Sequence, residues 1–345
     1  MYTPLVSIVI PNYNYGNYLR TCLDSVLNQT YTNIECIIRD NASTDNSWEI
    51  IQEYKEKFKK KNIRFHTSRS RKNLGSAINT ECCEKECKGE LIHYLCSDDW
   101  IEPTFIEKAV QTFSLSPNIS AVIINRQEIT ETGETIRCAP FYNESCIVPG
   151  EDQACVLMMS GVCVLSQVVY KNSCLKKVKI HKRTFRYIPD WYTLFLMSMV
   201  GDIAYLTQPL FNYRVHQNSE TTAIIKNLTG IFEEYILINS FVELSTIFDK
   251  QKPIEKYDDS IKKIGDISLR FTLTCIKNQD FELAKKYLLL SLIFDSNLEA
   301  TDRFSILKKA IETKTTSIDA PNIIEKRTIS YSPPENYISI DNLIN

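Results

Sequence analysis

Two adjacent carboxylates, Asp98 and Asp99, follow a short apolar run at residues 91–95. A run of this kind predicts a buried strand, so both acids are expected at its carboxyl end. Like charges this close raise each other's pKa unless a cation offsets them. Carboxylate oxygens suit Mg²⁺ or Mn²⁺, and these ions typically hold substrate phosphates as further ligands. The pair therefore predicts a divalent metal site for a phosphate-bearing substrate, with a solvated acidic turn as the alternative.

The first half of the chain alternates apolar runs with helix signals, which predicts an α/β fold. Predicted strands cover residues 6–10, 34–38, 63–66, 91–95, 121–125 and 203–206. Buried strands separated by amphipathic helices favour a mainly parallel sheet covered on both faces. Ligands of such sheets bind at the carboxyl ends of the strands. Asp40 follows the second predicted strand, so it is expected at the same edge as Asp98 and Asp99.

The second half has a different character. Residues 126–185 are less regular, and beyond about residue 226 the sequence predicts helices only, at 231–248, 260–277, 281–294 and 303–313. We therefore predict a domain at residues 1–225, a helical region at 226–320 and a loosely ordered tail at 321–345. The helical region is a candidate for contacts with a second copy of the chain.

Composition limits the class of protein. The 345 residues carry a net charge of −2, so no global field favours nucleic acid. Residues 55–72 are a local exception, with nine Lys and Arg against Glu56, and predict a weak contact with anionic lipid or a phosphate-bearing acceptor. No apolar stretch is long enough to span a membrane. The twelve cysteines are scattered and the amino terminus lacks a signal peptide pattern, so we expect a cytoplasmic protein, at most at the inner face of the membrane.

Seven segments in this order resemble the GT-A type inverting glycosyltransferases of family 2. They lie at residues 6–14, 23–31, 37–45, 73–75, 97–99, 190–191 and 213–216, and the matching region ends near residue 219. Each segment alone is weak, whereas the ordered set is specific. The resemblance implies a Rossmann-like domain that binds a nucleotide-sugar donor with a divalent metal, Mn²⁺ or Mg²⁺.

The resemblance also implies donor contacts. It assigns Pro11, Tyr13 and Asp40 to the nucleotide base, where a carboxylate suits the N–H of uracil. For Asp40 the alternative is a turn residue before the next loop. Asp98 and Asp99 are assigned to metal and diphosphate.

The family usually has an acid at the position of Cys96, so this chain departs from the pattern there. The departure weakens whatever contact the missing carboxylate makes, to the ribose or to water on the metal.

Further roles follow from the same resemblance. Asp190 corresponds to the catalytic base that takes a proton from the acceptor hydroxyl during a single displacement, which inverts the sugar. Its alternative is an N-cap of the following helix. His216 corresponds to a metal ligand, Arg214 to a phosphate contact or a salt bridge, and Arg71 to a donor contact.

These assignments predict transfer from a nucleotide sugar, a UDP-sugar by default, to a hydroxyl of a carbohydrate, lipid-linked or protein acceptor. Synthesis of cell-surface polysaccharide or glycoconjugate is the expected setting. Sugar nucleotidyltransferases are disfavoured because the loop at residues 11–16 has one glycine and no basic residue. A non-catalytic module, which binds a nucleotide sugar or a partner protein, is the other alternative, and Cys96 is its only support.

Overall fold

The computed structural model describes residues 2–131, 133–136, 139–181, 185–216, 227–318 and 330–341. Its strands are β1 (Val6–Asn12), β2 (Ile34–Asp40), β3 (Arg64–Arg69), β4 (Leu91–Tyr94), β5 (Trp100–Ile101), β6 (Ile119–Thr130), β7 (Thr135–Ile136), β8 (Cys146–Val148), β9 (Val168–Lys171), β10 (Asp202–Val215) and β11 (Ile338–Ser339). Each strand predicted from the sequence is present, and the predicted α/β fold class is confirmed.

Eleven α-helices lie in the described parts of the chain. They are α1 (Gly16–Leu27), α2 (Ser47–Lys60), α3 (Ser76–Glu84), α4 (Phe105–Phe113), α5 (Gly150–Met159), α6 (Asn172–Val178), α7 (Pro189–Ser198), α8 (Thr229–Ile247), α9 (Tyr257–Lys277), α10 (Phe281–Phe294) and α11 (Asp302–Thr313). The last four form the helical region that the sequence predicts after the sheet.

The strands join in one mixed sheet, in the order β11-β8-β10-β6-β9-β4-β1-β2-β3. Strands β3, β2, β1 and β4 are parallel, and β10 runs parallel to β6. Strand β9 lies antiparallel between β4 and β6. Because β1, β2 and β4 are parallel neighbours, their carboxyl ends meet at one edge of the sheet.

Both faces of the sheet are covered, and β1 shows this residue by residue. Its Ile8 packs with the apolar faces of α1, α2 and α4. Its Val9 belongs to the opposite core, which contains residues of α3, α5, α6 and α7. This burial on both sides explains why the strand is a continuous β-branched run rather than an alternating one.

The helical region packs on the second face of the sheet through α7. The ring of Phe241 on α8 is fully buried and stacks on Phe195 of α7 at a centroid distance of 3.8 Å. It also contacts the rings of Trp191 and Tyr192. The C-terminal helices therefore support the helix that begins at Pro189.

Among the described residues, no helix combines the length and apolarity needed to cross a bilayer.

Two predicted boundaries fall outside the described residues. Residues 217–226 contain the predicted end of the first domain and the end of the family resemblance near residue 219. Part of the predicted tail, at 319–329 and 342–345, is also not described. Within the tail, β11 pairs with β8, so residues 338–339 extend the sheet where the sequence predicts loose order.

Candidate active site

The candidate site lies at the carboxyl edge of the parallel strands, where two loops are joined by hydrogen bonds. The loop after β1 contributes the N–H of Asn14, which donates to Ser43 Oγ at 2.9 Å. The N–H of Gly16 donates to Asp45 Oδ2 at 2.9 Å. A Cβ at Gly16 would come within 2.2 Å of Asn46 Oδ1, so any larger residue there would displace the Asn46 side chain. These contacts join the two loops into a shared wall of the site.

Asp98 and Asp99 occupy the loop after β4, as predicted. Asp99 is buried, and its Oδ1 accepts a hydrogen bond from the backbone N–H of Arg214 at 2.9 Å. Burial, followed by the negative charge of Asp98, raises the pKa of Asp99 well above its usual range. Two carboxylates held this close give a site of concentrated negative charge that a cation would stabilise.

The end of β10 covers this acid pair with two side chains. Arg214 Nε donates to the Asp98 carbonyl at 3.0 Å, and its guanidinium lies 4.8 Å from the ring centroids of both Tyr18 and Trp100. His216 Nε2 lies 3.0 Å from Asp98 Oδ2, and the His216 ring stacks on Tyr18 at 5.5 Å. The structure thus brings Arg214 and His216 to the acids, where the sequence expects them.

Asp40 reaches the same edge but is fully buried and surrounded by donors of the protein. Its Oδ1 accepts from Asn12 Nδ2 at 3.0 Å and from Ser43 Oγ at 2.5 Å. Its Oδ2 accepts from the Ser43 N–H at 3.1 Å and contacts Arg69 Nε at 3.1 Å. These are the contacts of a turn residue, so a contact with the base has to replace one of them. The assignment of Asp40 to the base stays a prediction.

The other three predicted donor residues line the opening of this edge. Tyr13 is 40% exposed in the loop after β1, and Pro11 is partly buried near the carboxyl end of β1. The Pro11 carbonyl accepts from Ser97 Oγ at 3.3 Å, which joins the end of β1 to the loop of the acid pair. Arg71 is exposed in the loop after β3. All three are accessible to a ligand.

Asp190 lies in the first turn of α7, whose N-cap is Ile188. Its Oδ1 accepts from the Trp191 N–H at 2.9 Å. The N-cap role considered from the sequence is therefore wrong, because the helix begins one residue earlier, at Pro189. Burial raises the pKa of Asp190 to about 6, against the opposing effect of nearby backbone N–H groups and of the Arg126 charge. A carboxylate with this pKa can accept a proton near neutral pH.

The thiol of Cys96 lies beside the acid pair. Burial, and then the negative charges of Asp99, Asp98 and Asp190, raise its pKa well above the usual range. The ligand atoms of Cys96, Asp98 and Asp99 lie within 4.8 Å of one another, in a group that does not include Asp190. The approach of Asp190 to the acid pair stays a prediction.

Some residues of the site have no counterpart in the sequence-based prediction. Tyr18 and Trp100 enclose the Arg214 guanidinium, and Ser166 lowers the pKa of Asp99 through a side-chain hydrogen bond. Arg126 donates to Gln167 Oε1 at 2.8 Å and places a positive charge near Asp190. None of these residues has a local signal, because Arg126 itself lies in a polar part of β6, between Asn125 and Gln127.

The donor set fits a divalent cation. Ligand atoms of Cys96, Asp98 and Asp99 all lie within 4.8 Å of one another. Two carboxylates and a facing imidazole are hard or borderline ligands of the kind that bind Mg²⁺ or Mn²⁺. The site residues present therefore suit the metal that the resemblance implies.

Known proteins resemble this chain in sequence and in fold. Residues 7–152 match the sequence model of the family described as glycosyl transferase family 2. EpsH of Bacillus subtilis (strain 168), which is named as a glycosyltransferase, is 31% identical over 230 residues. The match covers 64% of this chain and 63% of EpsH, so the chain spans less than two thirds of that relative.

Two solved structures share the fold. TarS 1–349 of S. aureus, in complex with UDP-GlcNAc, superimposes with a TM-score of 0.55 at 15% identity, over 89% of this chain and 91% of that chain. The mannosyltransferase PcManGT of Pyrobaculum calidifontis, in complex with GDP-Man and Mn²⁺, gives a TM-score of 0.52 at 14% identity, over 92% of this chain and 86% of that chain. These likenesses confirm the predicted GT-A type fold.

Proposed function

We propose an inverting, metal-dependent glycosyltransferase that uses a nucleotide-sugar donor, and the match of residues 7–152 to the sequence model of glycosyl transferase family 2 supports this proposal. The observation that carries the proposal is the acid pair at the carboxyl edge of the sheet, where ligand atoms of Asp98 and Asp99 lie within 4.8 Å of each other and Asp99 accepts from the Arg214 N–H. A transferase needs the diphosphate and the acceptor on opposite sides of the same sugar. The acid pair and Asp190 supply these two sides.

The acid pair serves the leaving group. Asp98 and Asp99 would hold the cation, together with His216, and the bound cation would neutralise the diphosphate as the bond to the sugar breaks. Arg214, fixed between two aromatic rings, adds a positive charge next to the same phosphates. The chain thus prepares its own charges for the diphosphate before the donor binds.

Asp190 serves the acceptor. Its carboxylate takes the proton of the acceptor hydroxyl while that oxygen attacks the anomeric carbon from the face opposite the diphosphate. One displacement inverts the configuration at that carbon. The nearby Arg126 charge favours the ionised form of Asp190, which is the form that can accept the proton.

The carboxyl ends of β1 and β2 would hold the nucleotide through Pro11 and Asp40, and the loops after β1 and β3 would hold it through Tyr13 and Arg71. A UDP-sugar is the default donor because TarS 1–349 was solved with UDP-GlcNAc. PcManGT was solved with GDP-Man, so a guanine nucleotide belongs in the same test.

For the acceptor we propose a carbohydrate hydroxyl of a cell-surface polysaccharide or glycoconjugate. The partly buried rings of Tyr187 and Trp191 flank Asp190 along the chain. Aromatic rings have an apolar face and a polar edge, which suits the surface of a sugar ring. A lipid-linked or a protein-borne sugar would offer the same hydroxyl chemistry.

We further propose that the chain acts in the cytoplasm, at the inner face of the membrane. The eleven cysteines in the described residues are all free thiols, which suits a reducing compartment. Lysines of α2 supply positive charge for anionic lipid, although Lys57 already lies 3.6 Å from Asp24. Cosedimentation with vesicles that contain phosphatidylglycerol should be weak and should disappear at high salt; binding that resists salt would contradict the electrostatic contact.

The helical region offers a surface for a second copy of the chain. Phe232 and Ile236 on α8 and Leu289 and Ile293 on α10 are 47%, 51%, 56% and 75% exposed. Each pair lies one helical turn apart, and the rings of Tyr235 on α8 and Phe294 on α10 lie 5.9 Å apart, so the two pairs are on neighbouring helices. Exposed apolar side chains of this size favour protein association. Sedimentation velocity should show a dimer or a higher oligomer that Ile293→Lys dissociates, and a wild-type monomer at micromolar concentration would contradict this proposal.

A donor panel tests the proposed function. We expect slow release of nucleoside diphosphate from one of UDP-, GDP- or dTDP-sugars, with water as the acceptor, and only when Mn²⁺ or Mg²⁺ is present. Calorimetry should show that the same donor binds. If a donor binds without any release, the non-catalytic binding module is the better account, and if no donor binds, the partner-binding module is.

A further inference from the structure

The metal site of the proposed function contains a sulfur atom beside its carboxylates. Cys96 Sγ and carboxylate oxygens of Asp98 and Asp99 lie within 4.8 Å of one another. In the family that the chain resembles, this position usually carries an acid. A sulfur atom therefore stands here in place of carboxylate oxygens. The three residues follow β4 within one short loop.

Hydrogen bonds of its N–H and its carbonyl hold the backbone of Cys96 in place. Its N–H donates to Ser166 Oγ at 3.0 Å, and its carbonyl accepts from the Asp99 N–H at 3.1 Å. The Cys22 thiol approaches the same carbonyl at 3.7 Å. A cysteine side chain has a single rotatable bond before its sulfur and so has three staggered rotamers. The rotamer present places the sulfur beside the acid pair.

The surroundings of the sulfur are anionic. Carboxylate oxygens of Asp98 and Asp99 lie within 4.8 Å of it, and the neutral Ser166 hydroxyl is held by the Cys96 N–H at 3.0 Å. A neutral thiol brings one negative charge fewer than the carboxylate that it replaces. A thiolate bound to a metal would restore that charge, with the thiol proton released to solvent.

We propose that Cys96 Sγ is a ligand of the divalent cation and that the site therefore prefers ions that accept sulfur, such as Co²⁺ and Zn²⁺, over Mg²⁺. Thiolate ligands select softer ions, whereas carboxylate and water ligands suit Mg²⁺. This inference rests on the proposed function, in which Asp98 and Asp99 hold the cation. It adds the identity of a third ligand and the class of ion that the site selects.

Titration with Co²⁺ tests the inference without any measurement of transfer. A cobalt–thiolate bond absorbs in the near ultraviolet by charge transfer, and a cobalt site made only of oxygen and nitrogen ligands lacks this band. We expect wild type to develop the band in proportion to bound Co²⁺, with binding followed by calorimetry. Cys96→Ser should lose the band and bind Co²⁺ at least roughly tenfold more weakly.

Two variants control for other thiols and for folding. Cys163→Ser removes a different thiol whose pKa is raised by burial and then by the charge of Asp190, and it should keep the band. Cys96→Asp restores the family pattern, and it should lose the band and bind Mg²⁺ roughly tenfold more tightly than wild type. Circular dichroism should show the same fold for all variants.

The possible failures are distinguishable. If wild type binds Co²⁺ without the band, or if Cys96→Ser keeps the band, sulfur is not a ligand and the inference is overturned, while the proposed function stands. If no divalent ion binds to wild type, the metal site itself is wrong, and both proposals fail.

Discussion

We expect Asp190→Asn to bind the nucleotide-sugar donor as tightly as wild type and to turn it over roughly 10³-fold more slowly. A positioned general base contributes about two to four powers of ten to a rate. Asparagine has nearly the same shape and keeps an oxygen for the Trp191 N–H, which Asp190 accepts at 2.9 Å, but it cannot take a proton. Calorimetry measures donor binding, and release of nucleoside diphosphate measures turnover.

The pH dependence provides a second readout of the same residue. With a pKa of about 6, Asp190 is protonated and inactive as a base below that pH and ionised above it. The rate constant kcat/KM of wild type should therefore rise as the pH increases through about 6 and level off at higher pH. Asp190→Asn should lack this rise. If the variant instead fails to bind donor, Asp190 has a structural role and is not the base.

The second large effect is expected from Asp99→Ala, which should lose metal binding and donor binding together. Asp99 is buried against the N–H of Arg214, so its removal takes away one of the two adjacent carboxylates and loosens the segment that covers them. A bound cation contributes several kcal/mol of charge stabilisation, so turnover should fall by roughly three powers of ten.

Asp266→Ala is a matched control for the loss of one carboxylate. Asp266 is an exposed acid on α9 that pairs with Arg303 at 2.9 Å. Exposed ion pairs contribute little, so this variant should retain metal binding, donor binding and turnover. An unchanged response of Asp99→Ala to Mn²⁺ would exclude Asp99 from the metal site.

Much of the fold could be predicted from the sequence because the parallel strands are buried on both faces. Residues 6–10 and 34–38 read as continuous apolar runs, and they are the centres of β1 and β2. The helices α8 to α11 also carry local signals, and α10 begins and ends where the sequence predicts. In these segments local preference and burial agree.

Residues 126–185 could not be predicted in the same way. Strand β9 has four residues and is stabilised by its neighbours β4 and β6, which are distant in sequence.

Strand β10 is longer than predicted because it continues through Pro209, where its register against β6 shifts between Leu206 and Phe211. Short or irregular strands of this kind depend on tertiary contacts rather than on local pattern.

The candidate site likewise contains residues that have a local sequence signal and residues that are placed by distant contacts. The carboxylates Asp98 and Asp99 could be predicted because they directly follow a strand. The position of Arg214 between Tyr18 and Trp100 could not, since it depends on contacts such as the bond to the Asp98 carbonyl, 116 residues away in the chain. The donors Asn12 and Arg69 around Asp40 likewise come from the ends of two separate strands, β1 and β3.

The central claim is that a cation on the acid pair and the carboxylate of Asp190 face one donor sugar from opposite sides. A crystal structure with Mn²⁺ and a non-hydrolysable analogue of the bound donor would measure this directly. We expect a manganese anomalous peak in contact with Asp98 or Asp99 and the Asp190 carboxylate on the side of the anomeric carbon opposite the diphosphate. A manganese peak elsewhere, or a sugar that faces away from Asp190, would contradict the account.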